Sequence, residues 1–200
     1  MVNREAVRLI APYAAWMVLM AVLPATATGY AVRTAVVALL LAAVVVWKWR
    51  DEGTSPARLS CAAFAWGLLV GLFVFGLWIL PEQVDWPWYR TWCIVGKGGT
   101  PAVAEASAAL IVVRLVGSAF VISVAEELFF RRWLIGFAGF GWMVALFAVE
   151  HDRWLVGALA GAIYGGLYLW RGLGAAIVAH ATTNLVLGLW VLRTGQWQFW

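Results

Sequence analysis

Charged side chains are scarce in this sequence of 200 residues. Asp, Glu, Lys and Arg make up 12% of it, whereas hydrophobic residues make up 64% and the mean hydropathy is +0.88. A soluble globular domain is about one quarter charged and about half apolar, so these proportions exclude most soluble folds. They predict an integral membrane protein in which little of the chain is left for a soluble domain.

Cysteine and clustered positive charge are also scarce. The two cysteines, Cys61 and Cys93, lie in segments expected at opposite sides of the membrane, which argues against a disulfide and leaves no CxxC metal pair. The net charge of +4 is spread along the chain and forms no basic arm. We therefore predict no nucleic-acid partner and assign the surplus charge to membrane topology.

Long apolar runs, by contrast, fill the sequence. A bilayer core of about 30 Å requires roughly 20 apolar residues per helix. The runs that qualify are residues 6–23, 30–47, 59–80, 104–125, 134–150, 154–170 and 174–192. We predict an all-α, polytopic transmembrane helix bundle of about seven spans (six to eight), forming a single integral membrane domain over residues 1–200.

Lys and Arg in the predicted loops indicate the orientation. The side of the N terminus carries Arg4, Arg8, Lys48, Arg50, Arg58, Arg131, Arg132 and Arg171. The other side carries Arg33, Arg90, Lys97, Arg153 and Arg193. Because cytoplasmic loops are enriched in Lys and Arg, this bias favours a cytoplasmic N terminus.

Glycines recur every four residues in two of the predicted spans. Gly157, Gly161 and Gly165 share one helix face, and Gly67 and Gly71 repeat the spacing in the third span. Small residues on one face let a neighbouring helix approach closely. We assign these glycines to helix packing.

Two glutamates and an arginine interrupt the apolar sequence near its middle. Glu127 and Arg131 are four residues apart and therefore share a helix face, with the acid N-terminal to the base. Glu126 points about 100° away and has no evident partner on its own helix. One carboxylate paired with arginine would stay charged, which leaves the other free to act as a general base on water. Taken alone, this pattern is equally consistent with a structural role, in which two glutamates at a helix end extend into water together with two arginines.

The two histidines favour catalysis. His151 and His180 both lie within or at the end of apolar spans. His180 and Asn184 are four residues apart and project from one helix face, as do Phe147 and His151. A carboxylate, two imidazoles and a carboxamide can activate water and hold an oxyanion. A structural network of buried polar residues is the alternative.

Three segments occur in a fixed order: EELFFR at 126–131, FAVEH at 147–151 and HATTN at 180–184. This ordered set resembles the CAAX protease and bacteriocin-processing family of intramembrane glutamic endopeptidases, which includes the type II CAAX prenyl endopeptidase. The match covers about residues 105–195. With APYAAWM near the start, ISVAEELFFRRWL in the middle and TGQWQFW at the end, the sequence is similar to a narrower bacterial branch, the CAAX prenyl protease-related proteins of exosortase systems.

The resemblance implies a role for each polar residue. Glu126 would activate water as the general base, and His151 would help to position that water. His180 and Asn184 would stabilise the oxyanion of the tetrahedral intermediate.

The remaining pair, Glu127 and Arg131, would be the second carboxylate and its supporting cation. No cofactor and no metal are implied by the family. A carboxylate and two imidazoles could nevertheless hold zinc with one position open, so a metal site stays an alternative.

The resemblance implies an intramembrane endopeptidase of the bacterial inner membrane. It would hydrolyse a peptide bond of a membrane-anchored protein or peptide, with the lipid bilayer and exosortase-system proteins as further partners. The alternative is a non-proteolytic membrane scaffold or bacteriocin self-immunity protein. A transporter is less favoured, because no inverted repeat of broken helices is present.

The proposed site requires His151 and His180 to lie close together. Only 29 residues separate His151 from His180 (180 − 151), and straight helices would place the two rings some 15–20 Å apart in depth. We expect strongly tilted helices, or a segment around His151 that dips into the membrane. Hydrolysis also requires a polar, water-accessible pocket among the last four spans, shared with Glu126.

Other polar residues near this region receive no catalytic role. Glu150, Asp152 and Arg153 flank His151 and are predicted to form the polar lip of its loop. Arg114 is predicted to extend its side chain towards the membrane interface.

Overall fold

The computed structural model describes residues 4–52, 59–95 and 107–199, and within these ranges the chain is built from helices. They are α1 (Arg4–Val22), α2 (Ala27–Glu52), α3 (Cys61–Gln83), α4 (Pro87–Cys93), α5 (Ala108–Ala138), α6 (Phe140–Val149), α7 (Trp154–Arg171), α8 (Leu173–Thr194) and a 3-10 turn at Trp197–Phe199. The all-α prediction is confirmed for these ranges. Residues 53–58 and 96–106 lie outside this description, and with them Arg58, Lys97 and the start of the run predicted at 104–125.

Five of these helices are long and apolar enough to cross a membrane. They are Arg4–Val22, Ala27–Val46 within α2, Cys61–Gln83, Ala108–Ala138 and Leu173–Thr194. The predicted count of seven spans is not confirmed. The run predicted at 134–150 is divided at Gly139, whose φ of 90° ends α5 before α6 begins.

The outer surface of the described helices is apolar. Leu39, Phe73 and Trp170, on three different helices, are among the many large apolar side chains that are more than half exposed. Val37 and Val74 on two of the same helices are fully buried. A helix that is apolar on both its inner and outer faces suits a bundle surrounded by lipid.

The last long helix, α8, packs in parallel against α3 through the two predicted small residues. A Cβ at Gly67 would lie 2.9 Å from the carbonyl oxygen of Ala175, and one at Gly71 would lie 2.5 Å from that of Ala179. The packing role predicted for these glycines is confirmed. This contact brings α8, with its polar residues, into the centre of the bundle.

We expect Gly71→Ala to lower the stability of the folded protein by about 1–3 kcal/mol, because the added methyl group would displace the α8 backbone. Gly76, on the same helix, has no atom within 4 Å of its Cβ position, so Gly76→Ala should be neutral or slightly stabilising. Thermal unfolding of both variants in the same detergent tests the difference. Equal melting temperatures would show that the close approach is unnecessary.

Helices α6 and α7 form an antiparallel hairpin. Cβ atoms at Gly157 and Gly161 would lie 3.1 Å from side-chain atoms of His151 and Phe147, respectively, which confirms packing for these glycines also. With ten residues, α6 rises about 15 Å, half of a bilayer core, so it cannot carry His151 from one membrane surface to the other.

The break between α6 and α7 is fastened to α3 and α4. The Arg153 guanidinium pairs with Glu82 at 2.5 Å, and both side chains are over nine-tenths buried. Trp154 donates an indole hydrogen bond of 2.8 Å to the carbonyl oxygen of Trp92. These contacts hold the break in one position although it lies between helices.

Helix α5 contains two π-helical stretches, Gly117–Ile122 and Glu127–Leu134, on either side of Glu126. A wider turn frees backbone groups for side chains. The carbonyl oxygen of Ser118 accepts a hydrogen bond of 3.0 Å from the Ser123 hydroxyl and another of 3.0 Å from the Asn184 amide. The irregular helix is thus tied to α8 at this point.

Candidate active site

The centre of the site is a buried ion pair joined to an imidazole. Arg131 Nη1 lies 3.0 Å from Glu127 Oε1, and both side chains are 0% exposed. His180 Nδ1 lies 2.8 Å from the same carboxylate oxygen. The predicted pairing of Glu127 with Arg131 is confirmed. Because this carboxylate already has two partners, Glu127 positions its neighbours rather than acting as a free base.

The Arg131 guanidinium is also held by rings. Its Cζ lies 4.3 Å from the centroid of Phe147 and 5.5 Å from that of Tyr164, distances at which an aromatic face stabilises a cation. The Tyr164 ring stacks on His180 at 5.1 Å. The surrounding rings fix the orientation of the imidazole that Glu127 holds.

Both histidines use Nδ1 to contact an oxygen. His151 Nδ1 lies 2.7 Å from the carbonyl oxygen of Phe147, and His180 Nδ1 faces Glu127. A carbonyl oxygen can only accept, so Nδ1 of His151 must carry a hydrogen, and the carboxylate favours the same tautomer in His180. In the neutral rings, Nε2 is then left as a hydrogen-bond acceptor.

Glu126 lacks the close partners of Glu127. It is buried, its Oε2 lies 3.7 Å from His180 Nε2, and that oxygen, like Oε2 of Glu127, has no hydrogen-bond partner within the described part of the chain. A buried carboxylate oxygen without a donor is rare in native proteins and is suited to a further ligand or proton. Of the two glutamates, Glu126 is the one that lines a cavity, so it is the carboxylate available to water.

A cavity of about 360 Å³ connects the predicted residues. Glu126, His151 and His180 share it, as the sequence predicts, and Asn184 also lines it. The cavity is not confined to the last four predicted spans, because Trp16, Tyr30 and Trp78 of α1, α2 and α3 line it too. Both imidazoles contact the Phe147 ring, with centroid distances of 4.6 Å and 5.9 Å. The two histidines therefore lie close together, as the proposed site requires. The volume lies in the range of small-molecule and peptide side-chain pockets.

Asn184 does not point its amide hydrogens at an open position. Nδ2 donates to the Ser118 carbonyl oxygen at 3.0 Å and to the Ser123 hydroxyl at 3.1 Å. Both hydrogens are thus used on α5, and donation to an oxyanion requires the amide to turn. The oxyanion role stays a prediction, and the contact in place is one that fixes α8 against α5.

Glu150 enters the site although the sequence suggested only a polar lip. Its Oε2 accepts a hydrogen bond from the Tyr13 hydroxyl. One oxygen of Glu150, one of Glu126 and one ring nitrogen of His151 lie within 4.8 Å of one another. These three side chains could hold a single cation, and they differ from the set of one carboxylate and two imidazoles that the sequence suggested.

Other polar side chains also differ from their predicted positions. Arg153 is buried in its ion pair with Glu82 and does not form an open lip, whereas Asp152 is exposed. Arg114 lies with Cζ 4.8 Å from the Tyr30 ring centroid and lines the cavity, and its extension towards the interface stays a prediction. Aromatic and polar partners within the bundle replace water for these two arginines.

Comparison with protein-family models, curated proteins and solved structures yields no match to this chain.

The two cysteines, Cys61 and Cys93, are free, as the sequence predicts.

Proposed function

We propose that this chain is an intramembrane endopeptidase of the CAAX protease and bacteriocin-processing type. It hydrolyses a peptide bond of a membrane-anchored protein or peptide by water that Glu126 activates. The observation that carries the proposal is the buried oxygen of Glu126, which has no donor among the described residues and faces a cavity with two histidines. The ordered motifs support the family and its place in the bacterial inner membrane, and the wider resemblance supports a link to exosortase sorting. The Lys and Arg distribution supports a cytoplasmic N terminus.

The proposed reaction assigns a role to Glu126, His151, His180 and Glu127. A water held between Glu126 and His151 gives a proton to the Glu126 carboxylate as its oxygen attacks the carbonyl carbon. His180, when protonated on both nitrogens, donates through Nε2 to the developing oxyanion, and Glu127 stabilises that imidazolium. The proton on Glu126 then passes to the amine nitrogen as the C–N bond breaks.

The proposal is tested by cleavage in H₂¹⁸O. We expect purified protein in liposomes to cleave a reconstituted single-span peptide, leaving one ¹⁸O atom in the new terminal carboxylate after a single turnover. Mass spectrometry of both fragments locates the bond and the label. A pool of single-span peptides of differing sequence serves as substrate, and cleavage of none of them would count against the function.

A second candidate is a metal-dependent peptidase that uses two residues of the cavity, Glu126 and His151, together with Glu150. The observation that favours it is the set of Glu126, Glu150 and His151, whose oxygen and nitrogen atoms lie within 4.8 Å of one another. Two carboxylates and an imidazole suit zinc, which would polarise the carbonyl or activate water. Loss of cleavage in 1,10-phenanthroline, with recovery on adding zinc, would identify this candidate; full activity in the chelator supports the Glu126 mechanism.

A further inference from the structure

The position of Glu150 is set by the first helix. Tyr13 of α1 donates its hydroxyl hydrogen to Glu150 Oε2. The tyrosine ring stacks on Phe129 at 4.5 Å and meets the edge of Phe130 at 5.2 Å, and Tyr13 is only 8% exposed. A buried ring packed on two others has little freedom, so its hydroxyl holds Glu150 in one place.

The separation of Glu150 from Glu126 fits one bridging water. Two hydrogen bonds of about 2.8 Å that meet at a water oxygen place their acceptors roughly 4.5–5 Å apart. Oxygen atoms of Glu126 and Glu150 and a ring nitrogen of His151 lie within 4.8 Å of one another. Each of these side chains can thus reach the same water.

Three carboxylates, Glu126, Glu127 and Glu150, lie near this position. Arg131 pairs with Glu127, and Arg114 and Arg153 also line the cavity. Because like charges in a low dielectric repel strongly, Glu126 and Glu150 favour holding one proton between them. A shared proton lets one member accept while the other donates.

Resting on the proposed function, we propose that Glu150 is a second catalytic carboxylate that shares the attacking water with Glu126, and that Tyr13 is its positioning residue. As water attacks the carbonyl carbon, one water proton goes to ionised Glu126, and the proton of Glu150 goes to the carbonyl oxygen, which also accepts the hydrogen bond from His180. When the C–N bond breaks, Glu126 returns its proton to the amine nitrogen and the intermediate returns one to Glu150. Water and peptide become acid and amine, and both carboxylates are restored.

The test compares variants on a single-span peptide that the unsubstituted protein cleaves. We expect Glu150→Gln to lower kcat by about 10²-fold or more with little change in KM, as for loss of an acid–base group. Glu150→Asp should recover part of that loss. Tyr13→Phe, which keeps the carboxyl group, should lower kcat about ten-fold because Glu150 loses the hydrogen bond that fixes its position.

The matched control is Tyr89→Phe. Tyr89 is also fully buried, but its hydroxyl has no hydrogen-bond partner within the described ranges, so kcat should not change. Thermal unfolding of each variant separates loss of fold from loss of catalysis, and Tyr13→Phe serves if Glu150→Gln does not fold.

Two results would overturn the role of Glu150. One is a kcat for Glu150→Gln and for Tyr13→Phe within about three-fold of the unsubstituted value while Glu126→Gln is inactive; the proposed function would then survive without it. The other is that the unsubstituted protein binds one equivalent of metal and Glu150→Gln does not, because Glu150 would then be a metal ligand. Absence of cleavage by the unsubstituted protein would instead remove the proposed function itself.

Discussion

Replacing Glu126 with glutamine is expected to reduce peptide cleavage by about 10³-fold or more, while the protein still folds. A glutamine side chain has nearly the same shape but cannot accept a proton from water, and a positioned general base contributes about 10²–10⁴-fold. The uncharged amide also suits a buried position. Initial rates with a single-span peptide in liposomes, together with thermal unfolding of the same preparation, measure both effects.

Glu5→Gln is the matched control for this variant. Glu5 lies on α1, its side chain is 65% exposed, and it pairs with Arg132 at 3.2 Å, so the same chemical change there should leave cleavage unchanged. If Glu126→Gln folds and cleaves at the unsubstituted rate, the protease hypothesis is wrong. If a biological activity of the protein survives while folding is intact and cleavage is absent in all variants, the scaffold or self-immunity alternative gains.

Arg131→Met is expected to lower the free energy of unfolding by about 3–5 kcal/mol, the usual cost of breaking a buried ion pair from one side. Methionine fills part of the space but leaves the Glu127 carboxylate, which is 0% exposed, without its cation. The cation contact with the Phe147 ring at 4.3 Å is also lost. Reversible unfolding in detergent, or thermal unfolding where refolding fails, gives the difference from the unsubstituted protein.

The neighbouring Arg132 provides the control. It is on the same helix, its side chain is 52% exposed, and its pair with Glu5 is a surface contact, so Arg132→Met should cost at most about 1 kcal/mol. Combining Glu127→Gln with Arg131→Met should recover part of the loss, because both charges are then absent and the amide oxygen can still accept from His180. Equal losses of unfolding free energy for Arg131→Met and Arg132→Met would mean that the buried ion pair stabilises the protein no more than the exposed one.

Local pairs and helix content are the features that the sequence predicts well. The contact of Glu127 with Arg131 depends only on spacing within one helix, and the glycine contacts of α3 and α7 depend on small residues recurring on one face. The meeting of Glu126, His151 and His180 in a cavity is also predicted, since membrane-embedded polar residues in a bundle gather around shared interior space.

Long-range and irregular features could not be predicted in the same way. The hydrogen bond from Tyr13 to Glu150 joins residues 137 positions apart, and no sequence pattern connects these two residues. An apolar run does not reveal the break at Gly139, because hydropathy hardly changes there. Glu126 and Glu127 should point about 100° apart on a regular helix, yet both are buried because α1 and α8 both pack against this part of α5.

The local nature of the Glu127–Arg131 pair has a consequence for synthesis of the protein. His180 follows Glu127 by 53 residues, so at about 5–20 residues per second it leaves the ribosome roughly 3–10 s later. During that interval α5 carries the counter-ion of Glu127 on its own next turn, and the helix can enter the bilayer without a bare charge at that position. Glu126 has no such companion four residues away on α5, and of the two imidazoles near it, that of His151 is synthesised before that of His180. The proposed site therefore lacks the imidazole that contacts Glu127 until α8 reaches the bundle.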